Sequence, residues 1–129
     1  MRAFLLSRVK SFQYAAAGWW FVIRTQRNAW IHAAVSLCVI VIALWLKVQL
    51  RDWAVLILTI ALVWTSEFIN TALEAVVDLA TPGHHPLAKV GKDVGAAAVL
   101  LAAFSAVIIG ILILGPPLWA KILSLAASQ

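Results

Sequence analysis

Charge is what this sequence has least of. Charged residues make up 12% of the 129 positions, against 64% hydrophobic residues. That balance excludes an ordinary soluble domain, because a chain this small has too much surface per unit volume to hide so much apolar area. A lipid bilayer is the solvent that fits. Cys38 is the one cysteine, so no internal disulfide can form, and its place inside an apolar run predicts a buried thiol. No cluster of cysteines and histidines speaks for zinc. No glycine-rich loop offers a phosphate cradle of the P-loop or protein-kinase type. No repeat, low-complexity tract or linker divides the chain, and a single domain over 1–129 is the expectation. The opening "MRAFLLSRVK" is too short in its apolar stretch for a signal-peptide core, and Arg8 and Lys10 interrupt it, so it reads as mature protein.

What is present is three apolar segments long enough to cross a bilayer, at about 29–46, 53–79 and 94–114. Each reads as a helix, since open strands leave backbone groups unpaired in lipid. Trp30, Trp45, Trp53 and Trp119 fall near their ends, as an aromatic belt requires. Before them, the uncharged stretch 11–23 is short for a span and is bracketed by Arg8, Lys10, Arg24 and Arg27. It predicts an amphipathic helix over about 2–27 lying on the membrane, with a fourth, tilted span as the alternative. The fold class is therefore all-α and membrane-embedded.

The net charge of +5 would suggest nucleic acid in a soluble protein. Here the basic residues flank apolar segments, so lipid headgroups and topology account for them, and no nucleic acid is expected. Arg2, Arg8, Lys10, Arg24 and Arg27 precede the first span, Lys47 and Arg51 follow it, and Lys89 and Lys92 follow the second. The excess puts the N-terminus and the 80–93 loop in the cytoplasm and the C-terminus outside. The tail 115–129 opens on Gly-Pro-Pro, which predicts a break and a segment resting on the outer surface.

The acidic residues are few and concentrated: four of the five lie between Glu67 and Asp93. In "SEFINTALEAVVDL", Glu67, Asn70, Glu74 and Asp78 are spaced three, four and four apart, which stacks them on one helical face. With the helix entering lipid near Trp53 at about 1.5 Å per residue, Glu67 lies roughly 21 Å along it and Asp78 roughly 37 Å. The stripe thus climbs from inside one leaflet to the headgroups. A lone carboxylate in lipid costs at least about 2.5 kcal/mol, whereas interhelical hydrogen bonds return roughly 1 kcal/mol each. Gluing helices together needs one amide or hydroxyl, not three acids and an amide. Thr81-Pro82-Gly83 ends this helix. The next is expected to start near Lys92-Asp93, with Asp93 at the positive end of its dipole. Lys92 is a candidate phosphate contact or a snorkelling anchor. His84 and His85 read as loop residues, and Gly91, Gly95 and Ala96–Ala98 as a close-packing surface. Oxygen ligands without soft ones suit Mg²⁺, usually held by one or two carboxylates plus substrate phosphates. These residues permit phosphoryl transfer to a lipid hydroxyl; they equally permit a proton or cation pathway.

The stretch from Glu67 to Ala103, with E-x-x-N-x-A-x-E-A-x-x-D followed by Lys92-Asp93 and "AAAVLLAA", resembles the small prokaryotic diacylglycerol kinases, a group that includes undecaprenol kinases. "SFQYAAAG" and "QRNAWIH" are similar to the family's N-terminal pattern. The resemblance implies a homotrimer of three-span subunits in the bacterial cytoplasmic membrane, with active sites shared between neighbours. MgATP would phosphorylate a lipid alcohol, diacylglycerol to phosphatidic acid, with undecaprenol as the alternative. By position, Glu67 is implied as general base, Asn70 as organiser of the catalytic face, and Glu74 as metal ligand. Lys92 is implied to contact ATP phosphate, with Asp93 supporting the nucleotide and Asp78 completing the cluster. Tyr14 would lie near the nucleotide and His85 in the loop covering it. Gln26 departs from the pattern: many members carry a second metal-binding glutamate there, so weaker Mg²⁺ binding is implied. Ala17 stands where some members have a basic residue. Three helices alone would hardly shield Glu67, which also argues for an oligomer.

Overall fold

The computed structural model describes residues 1–81 and 83–127, with the backbone alone at 2–6. Among these, four helices and no strand occur: α1 (Arg2–Thr25), α2 (Arg27–Leu46), α3 (Leu50–Ala80) and α4 (Pro86–Ala126). The last three are long and apolar enough to cross a membrane, and this is a membrane protein. At about 1.5 Å per residue, α3 is roughly 46 Å long and α4 roughly 62 Å. Both outrun a hydrocarbon layer of about 30 Å, so their ends stand in or beyond the headgroups.

The breaks have local causes. A single extended residue, Gln26, separates α1 from α2. Lys47 closes α2 in the left-handed region at φ 53° and ψ 48°, where a non-glycine residue costs roughly 1–2 kcal/mol. α3 stops at Thr81, which is extended, as a residue preceding proline prefers; Pro82 itself lies outside the described residues. α4 begins with Pro86 in its first turn, and the His85 ring Nδ1 caps it by accepting from the Leu87 N–H at 3.2 Å.

Two expectations fail here. α4 starts at Pro86, not near Lys92-Asp93, so Asp93 is two turns inside it and owes nothing to the dipole. The tail does not break at Gly-Pro-Pro either: α4 runs through Pro116 and Pro117 to Ala126, and Ser128 and Gln129 lie outside the described residues. Two prolines remove two donors from the ladder, but in an apolar surrounding an unwound segment would leave more backbone groups unpaired than the helix does.

α3 packs chiefly against α4, and less extensively against α2. Its buried residues Leu56, Thr59, Val63, Glu67, Asn70 and Thr71 form one continuous stripe. Toward the N-terminal end, Leu56 meets Ala43 and Leu114 in an apolar cluster bordered by Val39, Ile42 and Trp53. Gly91 and Gly95 do bring α4 close to α3, with Gly91 near Val77 and Gly95 against Asn70 and Leu73. Ala96, Ala97 and Ala98 are exposed and take no part. Cys38 is exposed on α2, not buried; the apolar run around it faces outward in a single chain, where lipid rather than protein is the neighbour.

Candidate functional site

The acidic stripe is graded in depth. Glu67 is 1% exposed, the largest fully buried side chain among the described residues, and Asn70 is 7% exposed. Glu74 is half-buried. The Asp78 side chain is 65% exposed. One chain therefore shields Glu67 unaided, and the argument for an oligomer from shielding falls. Three helices suffice because α4 meets α3 at a glycine. A methyl group at Gly95 would collide with Asn70 Oδ1 and come within 3.2 Å of Leu73 Cδ2.

Glu74 collects both amides. Asn70 Nδ2 donates to its Oε1 at 2.9 Å, and Gln26 Nε2 reaches its Oε2 at 3.5 Å. The joint between α1 and α2 thus delivers Gln26 to the acid 48 positions away. Which end of an amide faces a carboxylate depends on what lies between them. Turned about, both would present oxygen, giving one carboxylate and up to two amide carbonyls. This hard, incomplete set fits Mg²⁺, which leaves most positions to water and phosphate. No group of three His, Cys, Asp or Glu able to hold a metal occurs among the described residues.

One turn on, Asp78 accepts from Lys92 Nζ at 2.5 Å. Lys92 is thereby held beside the stripe by a residue of the other helix. Asp93 is paired instead with Lys89, at 2.6 Å within α4. These exposed pairs contribute roughly 0–1 kcal/mol and position more than they stabilise. Tyr14 is exposed on α1, about 18 Å along that helix from Gln26. His85 is engaged as a helix cap. The structure therefore gathers Gln26, Glu67, Asn70, Glu74, Asp78 and Lys92 along one face, while Asp93 and His85 bond within α4 and Tyr14 is exposed on α1.

Two features escaped the sequence. His32 of α2 places Nε2 3.7 Å from Glu67 Oε2. The available signal was its ionisable side chain in an otherwise apolar span, which by default marks function. The second is an aromatic group. Trp19 of α1 stacks on Trp64 at 5.0 Å and edge-on to Phe68 at 4.5 Å. Such pairs contribute about 0.5–1.5 kcal/mol beyond area burial, and they fasten α1 to α3. They also line an apolar groove of about 730 Å³ between α1, α2 and α3, reaching down to Ile40 and Trp53. Its upper wall, Phe68, is the residue after the buried acid.

The sequence profile described as prokaryotic diacylglycerol kinase matches residues 13–114. The chain belongs to this family. Among its relatives, the undecaprenol kinase of Bacillus subtilis is 41% identical over 109 residues, covering 84% of this chain and 89% of that one. The diacylglycerol kinase of Synechocystis is 50% identical over 109 residues, and this chain spans 62% of its length. That of Escherichia coli K12 is 42% identical over 89 residues, 64% of this chain and 73% of its own. This prokaryotic diacylglycerol kinase family member is a lipid kinase, and family membership decides against the conductor reading of the stripe. The matched region ends at Leu114, so the last turns of α4, beyond Gly115, lie outside it.

Proposed function

We infer that this lipid kinase transfers the γ-phosphate of MgATP to the primary hydroxyl of a membrane lipid alcohol, diacylglycerol giving phosphatidic acid. The carrying observation is the division of labour along one stripe of α3. A fully buried carboxylate with an unpartnered oxygen lies seven residues, about 10 Å, below a half-buried carboxylate that collects two amides. The first suits proton abstraction in a dry setting; the second suits a metal at the aqueous edge. Glu67 is the general base. Glu74 and Gln26 are the side chains that would hold Mg²⁺, which supplies charge neutralisation to the nucleotide phosphates. Lys92 adds a cation to those phosphates, and Asp78 holds it in place beforehand. Asn70 fixes the rotamer of Glu74. Asp93, Tyr14 and His85 belong to the nucleotide side.

Two apolar surfaces are open to the chains, the aromatic groove ending at Phe68 and a cavity between α2, α3 and α4 that His32 borders. Lipid arrives in the bilayer and ATP from water, so the two meet at the boundary the stripe crosses, which is a proximity effect. The site face, with the N-terminus and the 80–93 loop, is cytoplasmic on this reading, the far ends of α2 and α4 are external, and the membrane is the bacterial inner membrane. A homotrimer with shared sites belongs to the same reading, supported by the position of Tyr14 about 18 Å along α1 from Gln26 and by Asp93 pairing with Lys89 rather than with the stripe.

The relative matched over 89% of its own length is named an undecaprenol kinase, which supports undecaprenol as the second substrate reading. Purified protein with MgATP and the two lipids offered side by side tests both. Labelled phosphate on diacylglycerol is expected; label on undecaprenol alone transfers the assignment, and label on neither removes it.

A further inference from the structure

Three buried side-chain atoms have no hydrogen-bond partner among the described residues: Glu67 Oε2, His32 Nε2 and Asn70 Oδ1. Unpaired buried polar atoms are rare and each calls for a reason. The first two face one another across 3.7 Å, too far for a direct hydrogen bond. At that separation a single oxygen can stand about 2.8 Å from both, the usual hydrogen-bond length, once the pair, closed to solvent here, parts to admit it.

A second observation points the same way. An apolar cavity of about 230 Å³ lies between α2, α3 and α4, and three polar residues border it: Ser36, Thr59 and His32. Ser36 Oγ accepts from Trp64 Nε1 at 3.4 Å, and Thr59 Oγ1 donates to the Val55 carbonyl at 2.7 Å. Each of these hydroxyl oxygens has a partner; His32 Nε2 has none among the described residues. Of the three, only His32 has such a buried atom, and its ring borders the cavity while Nε2 points away toward Glu67.

We propose that His32 is a catalytic residue contacting the acceptor alcohol: its Nε2–H donates to the lipid hydroxyl oxygen while that hydroxyl donates to Glu67 Oε2. This rests on Glu67 being the base. In the transfer step the hydroxyl proton passes to Glu67, and the oxygen forms a bond to the γ-phosphorus. The bond from that phosphorus to the β–γ bridging oxygen breaks, and its electron pair leaves with ADP. His32 keeps its proton throughout. Its hydrogen bond fixes which way the hydroxyl points, and strengthens as negative charge gathers on the oxygen. The apolar walls on either side exclude the water that would otherwise compete for both groups.

The test is a kinetic comparison of wild type, His32→Phe and His32→Gln in bilayer nanodiscs, with lipid alcohol and ATP varied separately. Phe keeps the ring shape and removes the donor; Gln restores an N–H. The Phe variant is expected to lose about tenfold in kcat/KM for the lipid, the worth of roughly one hydrogen bond. Its KM for ATP should stay as in wild type, and Gln should recover most of the loss. A Phe variant within twofold of wild type toward lipid overturns the proposal, as does an equal loss toward ATP, which a structural pair would give. If Phe fails to assemble, His32→Leu is read in its place. Lipid binding to Glu67→Gln, with and without His32→Phe, separates the two readings. Weaker binding in the double variant supports the His32 contact whether or not Glu67 proves to be the base, and equal binding removes it.

Discussion

Toward its N-terminus α3 packs Leu56 against Ala43 and Leu114, and its one buried hydroxyl there, Thr59, is absorbed by the backbone of its own helix. Beyond Val63 the same stripe, at the same spacing and against the same partner helix, becomes Glu67, Asn70 and Glu74, and unpaired atoms appear. The apolar half is self-sufficient in hydrogen bonds: the Thr59 hydroxyl is bonded, and the cavity beside Leu56, Thr59 and Val63 is bordered mainly by apolar side chains. The polar half is open, with a glycine in α4 making room and two atoms waiting for partners. Nothing in helix geometry distinguishes the halves; the difference is what each stripe position demands of its surroundings.

Glu67→Gln breaks the open half most directly. If Glu67 is the base we infer, its removal lowers transfer by about 10²–10⁴-fold with ATP binding kept, read from labelled phosphate on extracted lipid. Wild-type turnover in that variant removes Glu67 from the chemistry. Leu56→Ala is its counterpart in the apolar half. It should cost about 2–5 kcal/mol of stability, seen as a lowered melting temperature in detergent, while kcat of the folded protein stays unchanged. Gly95→Ala lies at the border. Its new methyl must displace the Asn70 amide and so release Glu74. Activity should fall about tenfold for the loss of one positioned hydrogen bond, with a smaller stability cost than at Leu56 because the displaced atom ends a flexible side chain. Equal activity with lowered stability would mean that Gly95 serves packing alone.

The smallest effect is expected at Gln26→Glu. A second carboxylate beside Glu74 repels it without metal and binds Mg²⁺ more tightly with it, so the midpoint of a Mg²⁺ titration should fall several-fold, on the order of 1 kcal/mol. An unchanged midpoint would place Gln26 away from the metal.

The helical architecture, the three spans and the clustering of Glu67, Asn70, Glu74 and Asp78 were legible because each follows from spacing along one segment. Their number matched the apolar runs, and their boundaries moved where a cap or a proline decided the matter, at His85-Pro86 and at Pro116-Pro117. What could not be read was contact between segments. His32 lies 35 positions from Glu67 and Gln26 lies 48 from Glu74, and no periodicity links them. The resemblance put Gln26 near the metal without saying how it arrives. It also offered Asp93 and His85 as site residues, and within one chain the structure commits both to local bonds in α4. Cys38 shows the opposite error: apolar surroundings in sequence mean burial in water but not in lipid.

The residue that ends α1 and begins α2 is also the one whose amide reaches Glu74. Helix junction and carboxylate contact coincide. The tilt of the first helix and the separation of that amide from the carboxylate cannot vary independently, so α1, fastened to α3 through Trp19, sets its angle and the surroundings of Glu74 together.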